Sequence, residues 1–134
     1  MKEHSTTRQH GFTLIELMIV ISMILILVSI AAPMYTVSVT RARETVLRQN
    51  LYNLRMAIDQ YTYDKMKAPQ SLDDLVSAGY FREIPMDPLT NSRETWVVDQ
   101  EDVLLSIDQN EPGISNVHSG ASGSGLDGAP YSSW

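Results

Sequence analysis

The sequence predicts an α+β fold, in which one long N-terminal α-helix, transmembrane in its first part and amphipathic in its second, packs on a small antiparallel β-sheet. Residues 14–32 contain one ionisable side chain, Glu16, and no glycine or proline. That is about the length of helix that spans a bilayer core of roughly 30 Å. Residues 34–68 also lack glycine and proline, which favours a continuous helix. Two runs rich in β-branched and apolar residues, 95–98 and 103–107, predict the strands.

Charge is distributed unevenly along the chain. Residues 12–67 carry six lysines and arginines against four acidic residues, a net charge of +2, whereas residues 68–134 carry two against eleven, a net charge of −9. Nucleic-acid binding needs clustered lysine and arginine, so the acidic part argues against it. A self-repelling surface, or an acidic loop that takes up a cation, fits this composition. The absence of cysteine excludes disulfides and thiolate chemistry and leaves the compartment open.

The N-terminal segment allows three interpretations. Residues 1–11 are polar and carry two basic side chains against one acidic side chain, and a long apolar run follows. An ordinary secretory signal would have an apolar region of about 7–15 residues, which this run exceeds, and would not contain a carboxylate. A plain membrane anchor explains the length but not Glu16, because a carboxylate costs about 2.5–3.5 kcal/mol at the centre of a bilayer.

The third interpretation accounts for all of these features. The segment GFTLIE, residues 11–16, resembles the class III signal peptide of the type IV pilin and type II secretion pseudopilin superfamily. The resemblance implies that a prepilin peptidase cuts between Gly11 and Phe12 on the cytoplasmic side and N-methylates Phe12. It also implies that residues 1–11 are removed as a leader, and that residues 12–39 remain as a transmembrane and filament-core helix.

Glu16 is the predicted assembly residue. Cleavage before Phe12 creates a cationic amine, and Glu16 lies four residues on, on the same face of a helix and near the positive end of its dipole. In lipid the carboxylate of a single subunit is only partly satisfied, whereas beside a second subunit it can pair with that subunit's Phe12 amine. Such pairing favours polymers and sets their register. The alternative is that Glu16 lies near enough to the membrane surface to be hydrated.

Pro33 removes a hydrogen bond from the long helix. Proline is common here in the related pilins, and it predicts a kink, unless the helix ends there. The sequence beyond it favours continuation, because apolar residues recur every three or four positions and predict an amphipathic helix over 40–67 that ends near Lys65. The members of this apolar stripe are Leu47, Leu51, Leu54, Ile58 and Tyr61.

Residues 68–134 are predicted to form a small head. Ser71, with an acidic residue three positions on, predicts a capped short helix that Gly79 ends. Pro85 and Pro88 predict an extended loop. The runs 95–98 and 103–107 predict a hairpin with an acidic turn at 99–102. After residues 112–113 the chain is predicted to turn into a Gly/Ser-rich stretch, residues 118–125, so His118 is expected to lie in a flexible segment.

The run 71–90 followed by two strands, together with the ending DGAPYSSW, resembles the head of the G-type (major) pseudopilins of type II secretion systems. This resemblance implies a pilin-like fold and a structural subunit of a periplasmic pseudopilus that drives protein secretion across the outer membrane. Its partners would be further copies in a homopolymer, other pseudopilins, the prepilin peptidase, the inner-membrane assembly platform and membrane lipid. It would cross the bacterial inner membrane once, with a cytoplasmic N-terminus and a periplasmic head.

Many G-type heads bind calcium near their last strands, and Asp108 and Asp127 are the candidates for such a site. The expected calcium-loop sequence is not recognisable, and no D-x-D-x-D-G spacing is present. Scattered aspartates are more often loop formers and solvated charges than ligands. No cofactor is therefore expected, and calcium is the alternative.

Two other functions remain open at this point. One is a type IV pilin of a surface fibre for adhesion, motility or DNA uptake, although the lack of a C-terminal cysteine pair and the short acidic head favour a pseudopilin. The other is a membrane-tethered module whose acidic loops bind a secreted substrate or a metal. No catalytic grouping is recognisable around His4, His10 or His118. The chain is therefore predicted to be a substrate of prepilin peptidase rather than an enzyme.

Overall fold

The computed structural model describes Met1, residues 11–101 and residues 112–134. It contains helix α1 (Leu14–Lys65), helix α2 (Leu72–Ser77), strand β1 (Trp96–Glu101), strand β2 (Gly113–Ser119) and a short 3-10 turn at Tyr131–Ser133. One long N-terminal helix with a small antiparallel sheet confirms the predicted α+β, pilin-like fold. The chain divides into two compact units, Met1–Ser38 and Val39–Trp134, and α1 contributes to both.

The first unit is a bare apolar helix. Every residue from 11 to 38 is exposed, and α1 is, within the described ranges, the helix long and apolar enough to cross a membrane. Its hydroxyl side chains donate to carbonyls of their own helix, as Ser22 does to Met18 at 2.7 Å and Ser29 to Ile26 at 2.8 Å. Because such donors need no water, the segment is compatible with hydrocarbon surroundings.

Helix α1 continues through Pro33, so the alternative of a helix that ends there is wrong. The carbonyl of Pro33 accepts a hydrogen bond from the Thr36 hydroxyl at 2.9 Å. The kink at Pro33 stays a prediction. The predicted end of the helix near Lys65 is confirmed.

The core of the second unit is built on the predicted stripe of α1. The five stripe residues are all buried, and Leu47 and Leu54 have no exposed surface at all. Full burial of such a side chain contributes about 1.5–3 kcal/mol. They pack against one cluster from the rest of the unit: Leu75, Ile84, Trp96, Ile114, Val117 and Tyr131.

Helix α2 has both of its predicted ends. The Asp74 carboxylate accepts the backbone N–H of Ser71, the N-cap residue, at 3.0 Å, as the acidic residue of a capping box does. It also accepts the backbone N–H of Gln70 at 2.8 Å. At the other end Gly79 has a φ of 87°, which glycine adopts without strain. The N–H of Tyr80 then donates to the carbonyl of Leu75 at 2.9 Å and closes the helix.

The sheet differs from the predicted hairpin. Strand β1 begins where expected, but it continues to Glu101, so the predicted turn is wrong for residues 99–101. Its antiparallel partner is β2, a strand that was not predicted. This strand ends at Ser119, so His118 lies in it rather than in a flexible segment. The predicted second strand at 103–107 lies outside the described residues.

An irregularity in the register explains why β2 is hard to recognise. Asp99 pairs with Asn116 and Gln100 pairs with Ile114, so Ser115 is an extra residue in β2. Such a bulge breaks the alternation of apolar and polar residues that marks a strand in a sequence. As a result Ile114 and Val117, three positions apart, are both buried.

Candidate processing and assembly site

The junction between Gly11 and Phe12 is accessible. Residues 11–13 precede the helix and adopt no regular structure. The Phe12 side chain is 87% exposed, and nothing lies within 4 Å of a Cβ placed on Gly11. A peptidase needs an exposed bond outside a helix, and this junction satisfies both conditions.

Thr13 is a functional residue that the sequence interpretation missed. Its hydroxyl accepts the N–H of Glu16 at 3.3 Å, and its carbonyl accepts the N–H of Leu17 at 3.2 Å. Thr13 is therefore the N-cap of α1, and Glu16 is its third helical residue. The signal was present in the sequence, because Thr-x-x-Glu before an apolar run is a capping-box pattern.

The position of this cap changes the predicted relation between Phe12 and Glu16. The helix was expected to begin near Phe12, but it begins at Leu14, so Phe12 lies outside it. The carboxylate of Glu16 is exposed in the first turn, where the helix dipole favours negative charge. Among the residues that the structure describes, no cation forms an ion pair with it.

Of the two candidate calcium ligands, Asp127 belongs to the residues that the structure describes. Asp108 lies outside them. Asp127 accepts the N–H of Ala129 at 3.1 Å through Oδ1, and its Oδ2 lies 3.7 Å from Nη2 of Arg48. No three His, Cys, Asp or Glu side chains within the described ranges form a group that could hold a metal. Calcium binding stays untested.

The second unit contains a buried carboxylate that was not predicted from the sequence. Glu44 is 2% exposed, and its Oε1 accepts the N–H of Leu126 at 2.8 Å and the hydroxyl of Tyr131 at 3.0 Å. Burial, and then the hydrogen bond to this carboxylate, raise the pKa of the Tyr131 hydroxyl above its usual range. Glu44 lies three residues before Leu47, so it extends the buried stripe, and this spacing was the available signal.

Asp87 is the centre of the proline loop. It is fully buried, and its carboxylate accepts the hydroxyl of Ser119 at 2.5 Å and the N–H of Leu89 at 2.8 Å. Trp96 donates its ring N–H to the carbonyl of Pro85 at 2.8 Å. The loop that the prolines predict is therefore held against both strands.

Comparison with known proteins supports a specific family. Residues 6–32, which include Gly11, Phe12 and Glu16, match the prokaryotic N-terminal methylation motif. Type II secretion system core protein G of Klebsiella pneumoniae is 34% identical, over 60% of this chain and 69% of that protein. The protein of the same name from Pseudomonas aeruginosa is 30% identical, over 63% and 70%. A probable minor fimbrial protein of Dichelobacter nodosus is 44% identical, over 42% and 36%. No solved structure matches the chain significantly.

An exposed apolar helix behind a methylation motif, continued into a small α+β head, defines the pilin-like class of proteins. Within that class the chain belongs to the family of type II secretion system core protein G. The roles assigned to Gly11, Phe12 and Glu16 rest on this motif, and the kink assigned to Pro33 rests on the lost hydrogen bond of a proline within a helix. All four stay predictions.

Proposed function

We propose that this chain is a structural subunit of a periplasmic pseudopilus that drives type II protein secretion across the outer membrane. Before assembly, α1 holds it in the inner membrane with its N-terminus in the cytoplasm and its head in the periplasm. The observation that carries the proposal is the arrangement at the start of α1. An accessible Gly11–Phe12 junction is followed at once by a capped helix that is apolar and exposed as far as residue 38. This helix carries one carboxylate, Glu16, in its first turn.

Cleavage converts this arrangement into a pair of complementary charges. It exposes the amine of Phe12, and N-methylation keeps that amine cationic. In a single subunit the Glu16 carboxylate is costly to place in lipid, by up to about 2.5–3.5 kcal/mol, because its charge is only partly satisfied there. A neighbouring subunit that is shifted along the axis brings its own Phe12 amine to that carboxylate. Polymerisation therefore satisfies a charge that the monomer leaves exposed.

The remaining surfaces fit a filament subunit. The apolar face of residues 14–37, exposed in one chain, is covered either by lipid or by the same face of other copies. The net charge of −9 on residues 68–134 makes the heads of separate subunits repel one another, which opposes disordered association. Other pseudopilins, the prepilin peptidase and the inner-membrane assembly platform are the further partners of such a subunit.

Replacement of Glu16 tests the proposal directly. Glu16→Ala is expected to abolish filaments and secretion, while cleavage at Gly11–Phe12 and methylation of Phe12 continue. The mass of the N-terminal peptide reports processing, and filaments recovered from sheared cells report assembly. Glu94→Ala is the matched control, because Glu94 is an exposed carboxylate of the head and its removal should leave both readouts unchanged. Normal secretion by the Glu16→Ala variant would favour a membrane-tethered binding module instead, because such a module does not need Glu16 for its function.

A type IV pilin of a surface fibre is the second candidate. The match to a probable minor fimbrial protein of Dichelobacter nodosus, 44% identical over 42% of this chain, supports it. Deletion of the chain separates the two functions. The pseudopilus predicts that the secreted proteins accumulate in the periplasm, whereas unchanged secretion together with lost surface fibres would favour the pilin.

A further inference from the structure

One face of α1 holds the C-terminal segment, defined here as residues 120–134. Glu44, Arg48 and Arg55 are four and seven positions apart, so they lie on the same side of the helix. Glu44 binds the Leu126 N–H and the Tyr131 hydroxyl. These two hydrogen bonds attach the middle of the C-terminal segment to α1.

Arg48 is the cation next to Asp127. Its guanidinium carbon lies 4.2 Å from the centre of the Trp134 ring, and its Nη2 lies 3.7 Å from Oδ2 of Asp127. Both members of the ion pair are more than half exposed, so the pair alone contributes little. Stacking of the planar guanidinium on the indole adds a cation–π attraction and fixes the position of the charge.

Arg55 joins the helix, the sheet and the C-terminal segment. Its Nε donates to Oδ1 of Asn116 at 2.8 Å, and its Nη2 donates to the main-chain oxygens of Val117 at 2.9 Å and Trp134 at 2.6 Å. The site is partly buried, which strengthens charge-assisted hydrogen bonds compared with those at the surface. Among the described residues, Arg55 is therefore the main anchor of Trp134 on α1.

We infer that Arg48 and Arg55 fasten the C-terminal segment in place of a divalent cation, so that this head folds without calcium. Asp127 does not fit a calcium site as it stands: Oδ1 is bound to the Ala129 N–H, and a fixed positive charge faces Oδ2. Calcium requires about six to eight oxygen ligands, and a guanidinium beside the candidate carboxylate of Asp127 opposes entry of the cation. Residue 108 lies outside the described ranges, so the experiment must include it.

The inference deepens the proposed function, because it makes assembly of this subunit independent of calcium in the periplasm. Its test does not depend on assembly, because the folding of one chain is measured. Hydrogen exchange of the full chain in detergent micelles, followed by mass spectrometry, reports the protection of residues 120–134. Peptides that cover the buried stripe of α1, residues 47–61, are the internal reference for folding.

Wild-type chain is expected to show the same protection of residues 120–134 with added calcium and with EGTA. Arg55→Gln should speed exchange at the Leu126 and Tyr131 amides by about tenfold, which corresponds to the loss of one hydrogen bond to a charged group. Arg48→Lys keeps the charge but loses the flat stacking surface, and it should give a smaller increase in the same peptides. Arg43→Gln is the matched control, since Arg43 is exposed on the same helix.

Two results would overturn the inference. One is a loss of protection in EGTA that calcium restores, above all if Asp108→Asn abolishes the response, because residue 108 would then take part in a calcium site. The other is unchanged exchange of residues 120–134 in the Arg55→Gln chain while residues 47–61 stay protected. Neither result bears on the Glu16 experiment, so failure of this inference and failure of the proposed function are distinguishable.

Discussion

Arg55 and His118 donate to the same atom, the main-chain oxygen of Trp134, each from a distance of 2.6 Å. A main-chain oxygen only accepts hydrogen bonds, so Nδ1 of His118 carries a proton in this contact. Its Nε2 lies 2.8 Å from Oδ2 of Asp99. One oxygen atom therefore joins α1, β2 and the C-terminal segment.

The shared acceptor predicts a coupling between the two donors. Removal of either donor leaves the oxygen with the other one, and each single replacement, Arg55→Met or His118→Phe, is expected to cost about 1–2 kcal/mol of unfolding free energy. The double replacement leaves the oxygen unpaired. It should therefore cost more than the sum of the two, by about 0.5 kcal/mol or more.

A double-mutant cycle on the full chain in detergent, unfolded with denaturant and followed by circular dichroism, measures this coupling. Arg43→Met provides the control cycle with His118→Phe, because Arg43 is exposed and donates to no atom of the C-terminal segment in the described structure. Strict additivity of Arg55→Met and His118→Phe would show that the two side chains act independently.

Tyr131 predicts a loss of stability at alkaline pH. Burial and the Glu44 carboxylate raise the pKa of the folded Tyr131 above its ordinary value of 10.0. As pH rises, the unfolded chain therefore loses this proton first. The stability that the neutral hydroxyl contributes is complete below about pH 10 and is lost as pH rises through the folded pKa.

Unfolding free energies measured from about pH 8 to pH 11 check this sign. Tyr131→Phe should cost about 1 kcal/mol at neutral pH, from the lost hydrogen bond, and should flatten the alkaline decline. Some decline should remain, because the hydrogen bond to Asp64 raises the pKa of Tyr80 as well. Tyr63→Phe, at an 81% exposed position, should leave the profile unchanged. An equally steep decline in the Tyr131→Phe chain would contradict the assignment.

Local features of the fold are predictable from the sequence, and long-range ones are not. The stripe of α1 and both ends of α2 follow from spacing and capping residues within a few positions, and the structure confirms them. The acceptors of Arg55 are 61, 62 and 79 positions away, so nothing near it in the sequence reveals its role. Strand β2 was missed for another reason, because its bulge at Ser115 hides the alternation that a strand normally shows.

The start of α1 shows the same division. The motif at residues 11–16 predicts the bond to be cut, and this stays a prediction. The structure places the junction in an exposed stretch before the helix. The motif did not predict that Thr13 caps the helix and leaves Phe12 outside it, because the family pattern was interpreted for processing and not for helix capping. The same four residues, Thr13 to Glu16, serve both purposes.

Replacement of one carboxylate oxygen of Asp87 is expected to lower the unfolding free energy substantially. Asp87→Asn replaces one acceptor oxygen with an NH₂ group, while the Ser119 hydroxyl and the Leu89 N–H both need acceptors in a fully buried site. Loss of one such partner is expected to lower the unfolding free energy by about 2 kcal/mol. The exposed Asp73 offers the control, and Asp73→Asn should stay within about 0.5 kcal/mol of wild type. Equal stabilities for the two variants would contradict the role of Asp87.

The space between β2 and the chain just after α1 is too small for a side chain at position 113. The N-terminal position of Gly113 in β2 places it against Ala68, and a Cβ on Gly113 would overlap with the Cβ of Ala68. The next residue, Ile114, donates its N–H to the carbonyl of Pro69 at 2.8 Å, so the strand cannot move away without breaking that bond. Gly113→Ala should therefore destabilise the chain by about 1–3 kcal/mol.

The double variant Gly113→Ala with Ala68→Gly separates crowding from other effects of the added methyl group. Removal of the Ala68 Cβ opens the space that the new Cβ needs, so the double variant should recover part of the lost unfolding free energy. Recovery is expected to be incomplete, because the backbone of Ala68 stays within 3.2 Å of the new atom. Ala68→Gly alone supplies the baseline. If the pair is no more stable than Gly113→Ala, the cost arises from the strand's backbone conformation and not from contact with Ala68.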